Sequence, residues 1–362
     1  MATILFTGFP GFLGSELLPR VVLRTESDAA VCVVQQRFMD LAGRRATELV
    51  TRYPALEGRI ELMEGDITLP GLGLGDQPSL PSTVREVYHL AAVYDLSVER
   101  PVGMKVNVDG TVHTLDFAAS CAGLERFQYV STCYVSGRWP GVFSETDLDK
   151  GQEFNNFYEE TKFLAEVEVQ KRMSQGLPAT IYRPSIVVGD SDSGETQKYD
   201  GPYYVIRWLL RQPVVAFLPM FGRPKEVRVN VIPRDFIIQA VTRLSGLESS
   251  LGRVYQIADP NPLTVSELVD EAARATGRYV VRIPALKSFA KAAIDYLPGV
   301  DRVLQIPSPV LDYFTLPTHY STQQMLNDLD GSGITVPRFP DYINNLVRFV
   351  CSNPQIGSAA MS

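Results

Sequence analysis

A tyrosine and a lysine lie four residues apart in the segment F-Y-E-E-T-K, at Tyr158 and Lys162. Residues at this spacing share one face of a helix, with Cβ atoms about 5–6 Å apart. A phenol beside an ammonium group could act as an acid catalyst, because the positive charge favours the phenolate and lowers a pKa that is ordinarily about 10. The same spacing also arises by chance on exposed helices, so the surrounding sequence must decide whether this pair is catalytic.

A glycine-rich segment, T-G-F-P-G-F-L-G, lies between a predicted strand and a predicted helix. Gly8 permits a tight turn, Gly11 lets the backbone approach a pyrophosphate, and Gly14 allows the helix and the strand to pack closely. The unpaired N–H groups at the start of the helix would face the phosphates. This strand–turn–helix context predicts a dinucleotide site. The predicted loop ligands are Thr7, Gly8, Gly11, Phe12, Leu13 and Gly14.

The end of the second predicted strand, V-V-Q-Q-R, bears on the choice of nicotinamide cofactor. An acidic residue there would hold the ribose 2′-hydroxyl of NAD, whereas a basic residue accommodates the 2′-phosphate of NADP. The chain has Gln35 and Gln36 at this point, followed by Arg37. We therefore expect NADPH, with NADH the lesser alternative; an arginine that is merely solvated remains the other interpretation of Arg37.

Two further strand ends offer positions for the cofactor. Asp66 in E-G-D-I follows the third predicted strand, where its carboxylate could meet the adenine amino group, and Ile67 comes next. The fourth predicted strand ends in H-L-A-A, and the small side chains of Ala91 and Ala92 leave room for the cofactor.

Short β-branched segments alternate with longer amphipathic ones over the first half of the chain. This alternation predicts a Rossmann-type, doubly wound parallel sheet in the α/β class, with helices on both faces. The predicted strands are Thr3–Thr7, Ala30–Gln35, Arg59–Glu64, Glu86–Leu90, Arg126–Ser131 and Ala179–Arg183. The predicted helices are Ser15–Thr25, Met39–Tyr53 and Val106–Cys121.

The sequence changes character after about Gly189, where a polar loop is followed by recurring prolines. A later segment, Arg253–Ala258, is typical of another strand. We expect residues 1–188, with 226–258 returning to them, to form the dinucleotide-binding domain. Residues 189–225 and 259–362 would form a smaller, mostly helical substrate-binding cap over the strand ends, where open α/β sheets bind ligands.

Composition excludes several classes of function. The net charge of −7 and a pI near 5.2 argue against nucleic acid as a partner. The four cysteines show no C-x-x-C pairing and no cleavable signal precedes them, so we expect reduced thiols in a cytoplasmic protein. No apolar run approaches the roughly 18 residues of a transmembrane helix. Three histidines without H-E-x-x-H predict no metal site.

The motifs together carry a resemblance to a known family. T-G-x-x-G-x-x-G, G-D-I, H-L-A-A, N-V-D-G-T, V-S-T-C-Y-V-S-G, Y-E-E-T-K and R-P-S-I-V-V-G-D occur in an order that resembles the extended short-chain dehydrogenase/reductase family. The variants Y-H-L-A-A-V-Y-D-L-S and Y-Q-I-A-D-P-N-P-L-T-V-S-E-L are similar to its thioester reductase branch. That branch includes domains of carboxylic acid reductases and peptide synthetases, and the fatty acyl-CoA reductases. Those relatives usually carry an arginine where this chain has Gln35.

The resemblance implies roles for the reactive side chains. Tyr158 would donate a proton to the substrate oxygen as hydride leaves the nicotinamide, and Lys162 would also hydrogen-bond the nicotinamide ribose. The family pattern places Thr132, rather than Ser131, at the hydroxyl that polarises the carbonyl.

Two more cofactor positions follow from the resemblance. Asn107 matches the family asparagine near the cofactor, with a helix cap as the alternative interpretation. Pro184, just after the sixth predicted strand, would flank the nicotinamide.

The function that the resemblance implies is NADPH-dependent transfer of hydride to an acyl thioester or a fatty aldehyde, giving aldehyde, alcohol or both. The acyl group would be presented on coenzyme A or on a carrier protein. One alternative is an NAD(P)-dependent dehydrogenase or epimerase of a sterol or a nucleotide-sugar alcohol. A redox-sensing protein without catalysis is a further alternative, but it predicts loss of the Thr–Tyr–Lys set, which is present.

The apolar character of the expected cap favours an acyl substrate over a sugar nucleotide. Apolar segments lie at Val214–Phe221 and at residues 306–317, and residues 286–297 have the periodicity of a helix with one apolar face. That helix would line the cap core or an acyl tunnel, or it would touch membrane lipid as a peripheral contact.

Overall fold

The computed structural model describes residues 2–75, 77, 79–288 and 310–357. At its centre is a seven-stranded parallel sheet in the order β3-β2-β1-β4-β5-β7-β11. Its strands are β1 (Thr3–Thr7), β2 (Ala29–Val34), β3 (Ile60–Glu64), β4 (Val84–His89), β5 (Arg126–Val130), β7 (Ala179–Pro184) and β11 (Val254–Ile257). The predicted Rossmann-type α/β fold is confirmed.

Helices cover both faces of this sheet. The first half of the chain contains α1 (Gly14–Val22), α2 (Met39–Arg52), α3 (Leu80–Thr83), α4 (Arg100–Gly103), α5 (Gly110–Ser120) and α6 (Phe157–Ser174). The second half contains α7 (Pro202–Leu210), α8 (Arg234–Leu244), α9 (Val265–Thr276), α10 (Val310–Tyr313), α11 (Gln323–Leu329) and α12 (Phe339–Ser352). A π-helix, Met104–Asp109, leads directly into α5.

The inner strands β1 and β2 are buried by helices on both sides and are almost continuously apolar, whereas the edge strand β3 is partly exposed and carries Glu61 and Glu64. One core cluster joins Phe6, Tyr88 and Tyr255 to helices α1 and α8. A second cluster, on the other face, includes Leu5 and Phe127 and packs against α5 and α6.

Three small parallel sheets lie outside the central one. They pair β8 (Ile186–Val188) with β10 (Val231–Pro233), β6 (Gly141–Phe143) with β13 (Thr318–Tyr320), and β9 (Val215–Met220) with β12 (Tyr279–Pro284). The sheet of β6 and β13 connects the second half of the chain to the first. A third core cluster lies largely here and brings together α7, α9 and α12. Because β11 pairs with β7, the returning segment joins the central sheet. The division into two domains stays a prediction.

The apolar segment at Val214–Phe221 is a strand whose residues alternate in exposure. Val215 and Phe217 are about half exposed, whereas Ala216 and Leu218 are buried. This segment therefore gives only alternate side chains to the interior. Most of the amphipathic stretch at 286–297 lies outside the described residues.

Candidate active site

The glycine-rich loop connects β1 to α1 at the carboxyl end of the sheet. The Gly11 N–H donates to the Gly8 carbonyl over 2.9 Å, which closes the turn. At φ +91°, Gly8 adopts a conformation that L side chains rarely take. Thr7 Oγ1 accepts a 3.2 Å hydrogen bond from the Ala91 N–H and lies 2.7 Å from His89 Nδ1. The loop is therefore tied to the end of β4.

This loop fits the dinucleotide that the motif implies. A Cβ atom at Gly8 would lie 2.8 Å from the Ala91 nitrogen, and one at Gly14 would lie 2.6 Å from the Gly8 carbonyl oxygen. Both positions therefore require glycine for the close approach of backbone to backbone. In addition, Ser185 Oγ, next to Pro184 at the end of β7, is buried and has no hydrogen-bond partner in the described structure. A buried hydroxyl without a partner suits a site that a polar ligand completes.

Other predicted loop and strand-end residues line the same edge. The Phe12 ring lies under the buried Arg234 guanidinium, with 5.1 Å between the guanidinium carbon and the ring centroid. Ile67 is buried, and its carbonyl lies 2.9 Å from His113 Nδ1. Leu13 and Ala91 are partly buried, whereas Ala92 is exposed.

Three residues expected at the adenosine end form one surface group. The exposed Arg37 donates to Gln35 Oε1 over 3.0 Å and lies over the Phe38 ring. Gln35 in turn hydrogen-bonds the Asp66 carboxylate. Burial raises the pKa of Asp66, but hydrogen bonds from Thr68 and Gln35 outweigh it and hold that pKa below its usual value. Asp66 is therefore an ionised acceptor near neutral pH.

Asn107 lies within the π-helix and is buried. Its Oδ1 accepts from the Val93 N–H over 2.9 Å, and its Nδ2 donates to Thr161 Oγ1 over 3.0 Å. The side chain thus joins the segment after β4 to the start of α6, rather than capping a helix end.

Tyr158 and Lys162 lie in the first two turns of α6, which begins after the N-cap Asn156. The Asn156 side chain accepts from the Glu159 N–H over 3.0 Å, which sets where the helix starts. Both Tyr158 and Lys162 are buried. Lys162 Nζ donates to the Tyr129 hydroxyl over 3.0 Å and to the Val130 carbonyl over 2.9 Å. The lysine therefore contacts the end of β5.

The electrostatics of this pair differ from the sequence-based expectation. Burial raises the pKa of Tyr158 above its usual value, and a hydrogen bond with the Thr132 side chain opposes that rise only in part. Burial also lowers the pKa of Lys162 to about 7, against the opposing charge of Glu166. Desolvation dominates the pKa of Tyr158, and Lys162, which bonds Tyr129 and Val130, is not among the groups that shift it. The catalytic role of the pair stays a prediction.

The hydroxyls of Ser131 and Thr132 have different partners. Ser131 Oγ donates to the buried Glu166 Oε2 over 2.5 Å, and Glu166 is ion-paired with Arg183 over 2.6 Å. Thr132 Oγ1 accepts from the Tyr134 N–H and hydrogen-bonds Tyr158. Of these two hydroxyls, it is therefore that of Thr132 that contacts the Tyr158 hydroxyl.

A second polar group borders Tyr158 and was not found from the sequence. The Tyr94 ring packs edge-on against Tyr158, with centroids 5.1 Å apart. Lys198 Nζ lies 3.6 Å from the Tyr94 ring centroid and pairs with Asp200 over 2.7 Å. Tyr94 belongs to the quoted motif Y-H-L-A-A-V-Y-D-L-S, but no local pattern indicates that a loop much later in the chain reaches it.

Among the described residues, no helix is long and apolar enough to cross a membrane. No group of three or more His, Cys, Asp or Glu side chains in the same part of the chain could hold a metal ion.

Comparison with known proteins gives relatives of several kinds. The chain is 27% identical to a component of the linear gramicidin synthase of Brevibacillus parabrevis over 73% of its own length, which is 5% of that protein. It is 25% identical to the aldehyde reductase lnaA of Aspergillus flavus over 71% of its length, or 26% of that protein. The chain thus spans about a quarter or less of these relatives.

A solved structure shares the whole architecture. The terminal R domain of the myxalamid PKS-NRPS pathway matches with a TM-score of 0.83 at 24% identity, covering 99% of this chain and 92% of that one. This likeness establishes the fold.

A family model, described as male sterility protein and named for NAD binding, matches residues 6–241. The match spans the glycine loop, the Thr132 segment and the Tyr158–Lys162 pair, so the resemblance drawn from the motifs is confirmed. The chain belongs to the NAD-binding male sterility protein family.

Proposed function

We propose that this protein is an NADPH-dependent reductase that transfers hydride to the carbonyl of an acyl thioester or an aldehyde. The observation that carries the proposal is the buried hydrogen-bonded pair of Thr132, which follows β5, and Tyr158, which lies in α6. Strand β5 belongs to the same sheet as β1, which leads into the glycine loop. The relatives named for peptide synthesis and aldehyde reduction support this class of substrate.

Thr132 and Tyr158 have different roles in the proposed reduction. The Thr132 and Tyr158 hydroxyls donate hydrogen bonds to the substrate oxygen and polarise its carbonyl. Because the pKa of Tyr158 is raised, this phenol holds its proton at neutral pH and can deliver it as general acid. The nicotinamide, when bound, supplies the hydride to the carbonyl carbon.

With a thioester, these two transfers form a C–H and an O–H bond and yield a hemithioacetal. Cleavage of its C–S bond then releases the thiol and the aldehyde, with the hydroxyl proton passing to sulfur. A second hydride and proton would convert the aldehyde to the alcohol. Lys162, which bonds Tyr129 and Val130, would hydrogen-bond the nicotinamide ribose when the cofactor is bound.

The preference for NADPH rests on the group at the end of β2. Positions 35 and 36 carry glutamine rather than an acidic residue, and the exposed Arg37 would exchange its hydrogen bond with Gln35 for one with the 2′-phosphate. Asp66 lies beside Gln35, and its charge limits how close the phosphate can come.

The cofactor proposal is tested with Arg37→Ala. A charge-assisted hydrogen bond to phosphate contributes about 1.5–3 kcal/mol, so the variant should raise KM for NADPH and leave KM for NADH unchanged. Arg44→Ala, on the exposed side of α2, is the matched control. Equal kcat/KM for NADPH and NADH in the unaltered protein would contradict the preference.

The substrate proposal is a medium or long apolar acyl group. Each buried methylene stabilises binding by up to about 0.8 kcal/mol, so kcat/KM should rise several-fold for each two-carbon step until the acyl chain is fully buried. The measurement is NADPH oxidation with acyl-CoA thioesters and aldehydes from C4 to C12, alongside sterols and UDP-sugars. A flat response, or turnover of sterols or UDP-sugars alone, would favour the dehydrogenase or epimerase alternative.

A further inference from the structure

A cavity of about 280 Å³ lies beside the candidate active site and takes no part in the functions assigned above. Its polar lining consists of Arg228, Asn230, Asn261, Thr318, His319 and Tyr320. The Asn230 amide exchanges hydrogen bonds of 2.7 and 2.9 Å with the backbone of Asp259, so this wall is rigid.

The cavity borders the segment that carries Thr132. The Tyr320 hydroxyl lies 3.4 Å from Ser136 Oγ, at the end of the short 3-10 turn Cys133–Ser136 that follows Thr132. Strand β13, which contains His319, pairs with β6 shortly after that turn. The wall of the cavity is therefore in contact with the segment that carries Thr132.

Two cationic or proton-donating groups of this cavity are available to a ligand. Arg228 is exposed and donates to the Pro262 carbonyl over 2.6 Å, which orients its guanidinium, and it forms no ion pair with a described carboxylate. The charge of Arg228 contributes to lowering the pKa of Glu267. The Glu267 carboxylate, however, accepts hydrogen bonds from Thr264 at the N-cap of α9. The His319 side chain is exposed and makes no hydrogen bond to another described residue.

We propose that this cavity binds the phosphate of the phosphopantetheine arm that presents the acyl thioester, an inference that rests on the proposed function. A guanidinium presents a planar fork of donors that matches phosphate oxygens. Coenzyme A and carrier proteins both supply this phosphopantetheine phosphate. The volume suits a phosphate with a few neighbouring atoms, while the acyl chain lies elsewhere.

The cofactor's own phosphates do not account for this cavity. They belong to the glycine loop after β1, whereas the cavity is lined by residues 260–262, which follow β11 at the edge of the sheet. Strands β4, β5 and β7 lie between these two positions in the sheet order.

The test compares two thioesters that differ only in the phosphate, octanoyl-phosphopantetheine and octanoyl-pantetheine. We expect kcat/KM to be about tenfold higher for the phosphorylated thioester at low salt, and the ratio to shrink as ionic strength rises. In Arg228→Gln the ratio should fall to about one. Arg223→Gln, an exposed arginine paired with Glu226, is the matched control and should keep the ratio.

The outcomes separate this inference from the proposed function. If octanal and both thioesters are reduced but the phosphate makes no difference, or if Arg228→Gln keeps the tenfold ratio, the cavity is not a phosphate site. If no thioester is reduced, calorimetric titration with phosphopantetheine and pantetheine decides instead. Tighter binding of phosphopantetheine that Arg228→Gln abolishes supports the site, and equal binding overturns it.

A last comparison identifies the source of the phosphate. Octanoyl-CoA and an octanoyl-loaded carrier protein are assayed with Arg228→Gln and with the control variant. The cavity serves the substrate whose kcat/KM falls in Arg228→Gln but not in the control variant. If kcat/KM falls for neither octanoyl-CoA nor the loaded carrier protein, the inference is contradicted.

Discussion

Ser131 and Thr132 show how neighbouring side chains of similar chemistry acquire different roles. Ser131 follows β5 directly, and its hydroxyl donates to Glu166, which is ion-paired with Arg183 in the core. This hydroxyl is therefore used in a buried structural contact. Thr132 is the next residue, in an extended conformation that turns its hydroxyl toward Tyr158. At the scale of single residues, the partner of each hydroxyl decides which one can touch a substrate.

The residue-scale prediction concerns Tyr158→Phe. The ring and its packing against Tyr94 remain, and only the proton donor is lost. General acid catalysis typically contributes about 10²–10⁴-fold, so kcat should fall by that factor while the Kd for NADPH stays close to that of the unaltered protein. The measurements are steady-state NADPH oxidation and a fluorescence titration of the cofactor. A variant that keeps more than a tenth of the original kcat at neutral pH would show that Tyr158 is not the acid.

At the scale of elements, the βα unit formed by β1, the glycine loop and α1 shows how packing distance fixes residue type. Gly14 begins α1, and its Cα faces the Gly8 carbonyl so closely that no side chain fits. Gly43, in the middle of α2, has open space around the position of a Cβ atom. The two helical glycines therefore respond in opposite ways to the same substitution.

We expect Gly14→Ala to destabilise the protein by about 1–3 kcal/mol, as overpacked sites usually do, and to weaken cofactor binding because the loop must shift. Gly43→Ala should instead stabilise it by about 0.5–1 kcal/mol, since alanine is the better residue in a helix interior. Urea unfolding curves and an NADPH titration measure both effects. Gly14→Ala with unchanged stability and cofactor affinity would mean that helix and strand are not in close contact there.

At the scale of the whole molecule, the ion pair between Arg183 and Glu166 joins the central sheet to α6 and to the second half of the chain. Both side chains are fully buried. Arg183 also donates to the Asp147 carbonyl over 2.8 Å, in the segment after β6. Glu145 in that segment accepts from the Gln324 N–H over 2.9 Å, at the start of α11.

Arg183→Met should cost about 3–5 kcal/mol of unfolding free energy, because Glu166 is left buried without its partner. The control Arg274→Met, which removes an exposed pair with Glu271, should change stability by less than about 1 kcal/mol. Chemical denaturation of both variants tests this. Replacing Glu166 by Met in the Arg183→Met background should recover part of the loss, and a further loss of several kcal/mol would contradict the account.

Much of the fold can be predicted from local patterns. The predicted bounds of strand β1 agree residue for residue with the structure, and the other predicted strands of the sheet agree to within two residues at either end. This is possible because a strand buried on both faces must be apolar along its whole length, and a tight turn onto a helix must use glycine. The same local reasoning identifies the glycine loop and the Tyr158–Lys162 pair.

The surroundings and the ionisation of the site residues depend on contacts between distant parts of the chain, and only the tertiary structure shows them. Asp200 and Lys198 come from a loop far along the chain, yet they border Tyr158 through Tyr94. Desolvation, which reverses the expected shift in the pKa of Tyr158, depends on everything packed around the ring and has no local sequence pattern. The cavity at Arg228 likewise exists only because residues of three separate segments meet there.

By itself, the sequence of this protein determined the sheet, the cofactor loop and the reactive residue types, since these follow from short-range periodicity and steric limits. Their ionisation and their partners followed from burial and long-range packing.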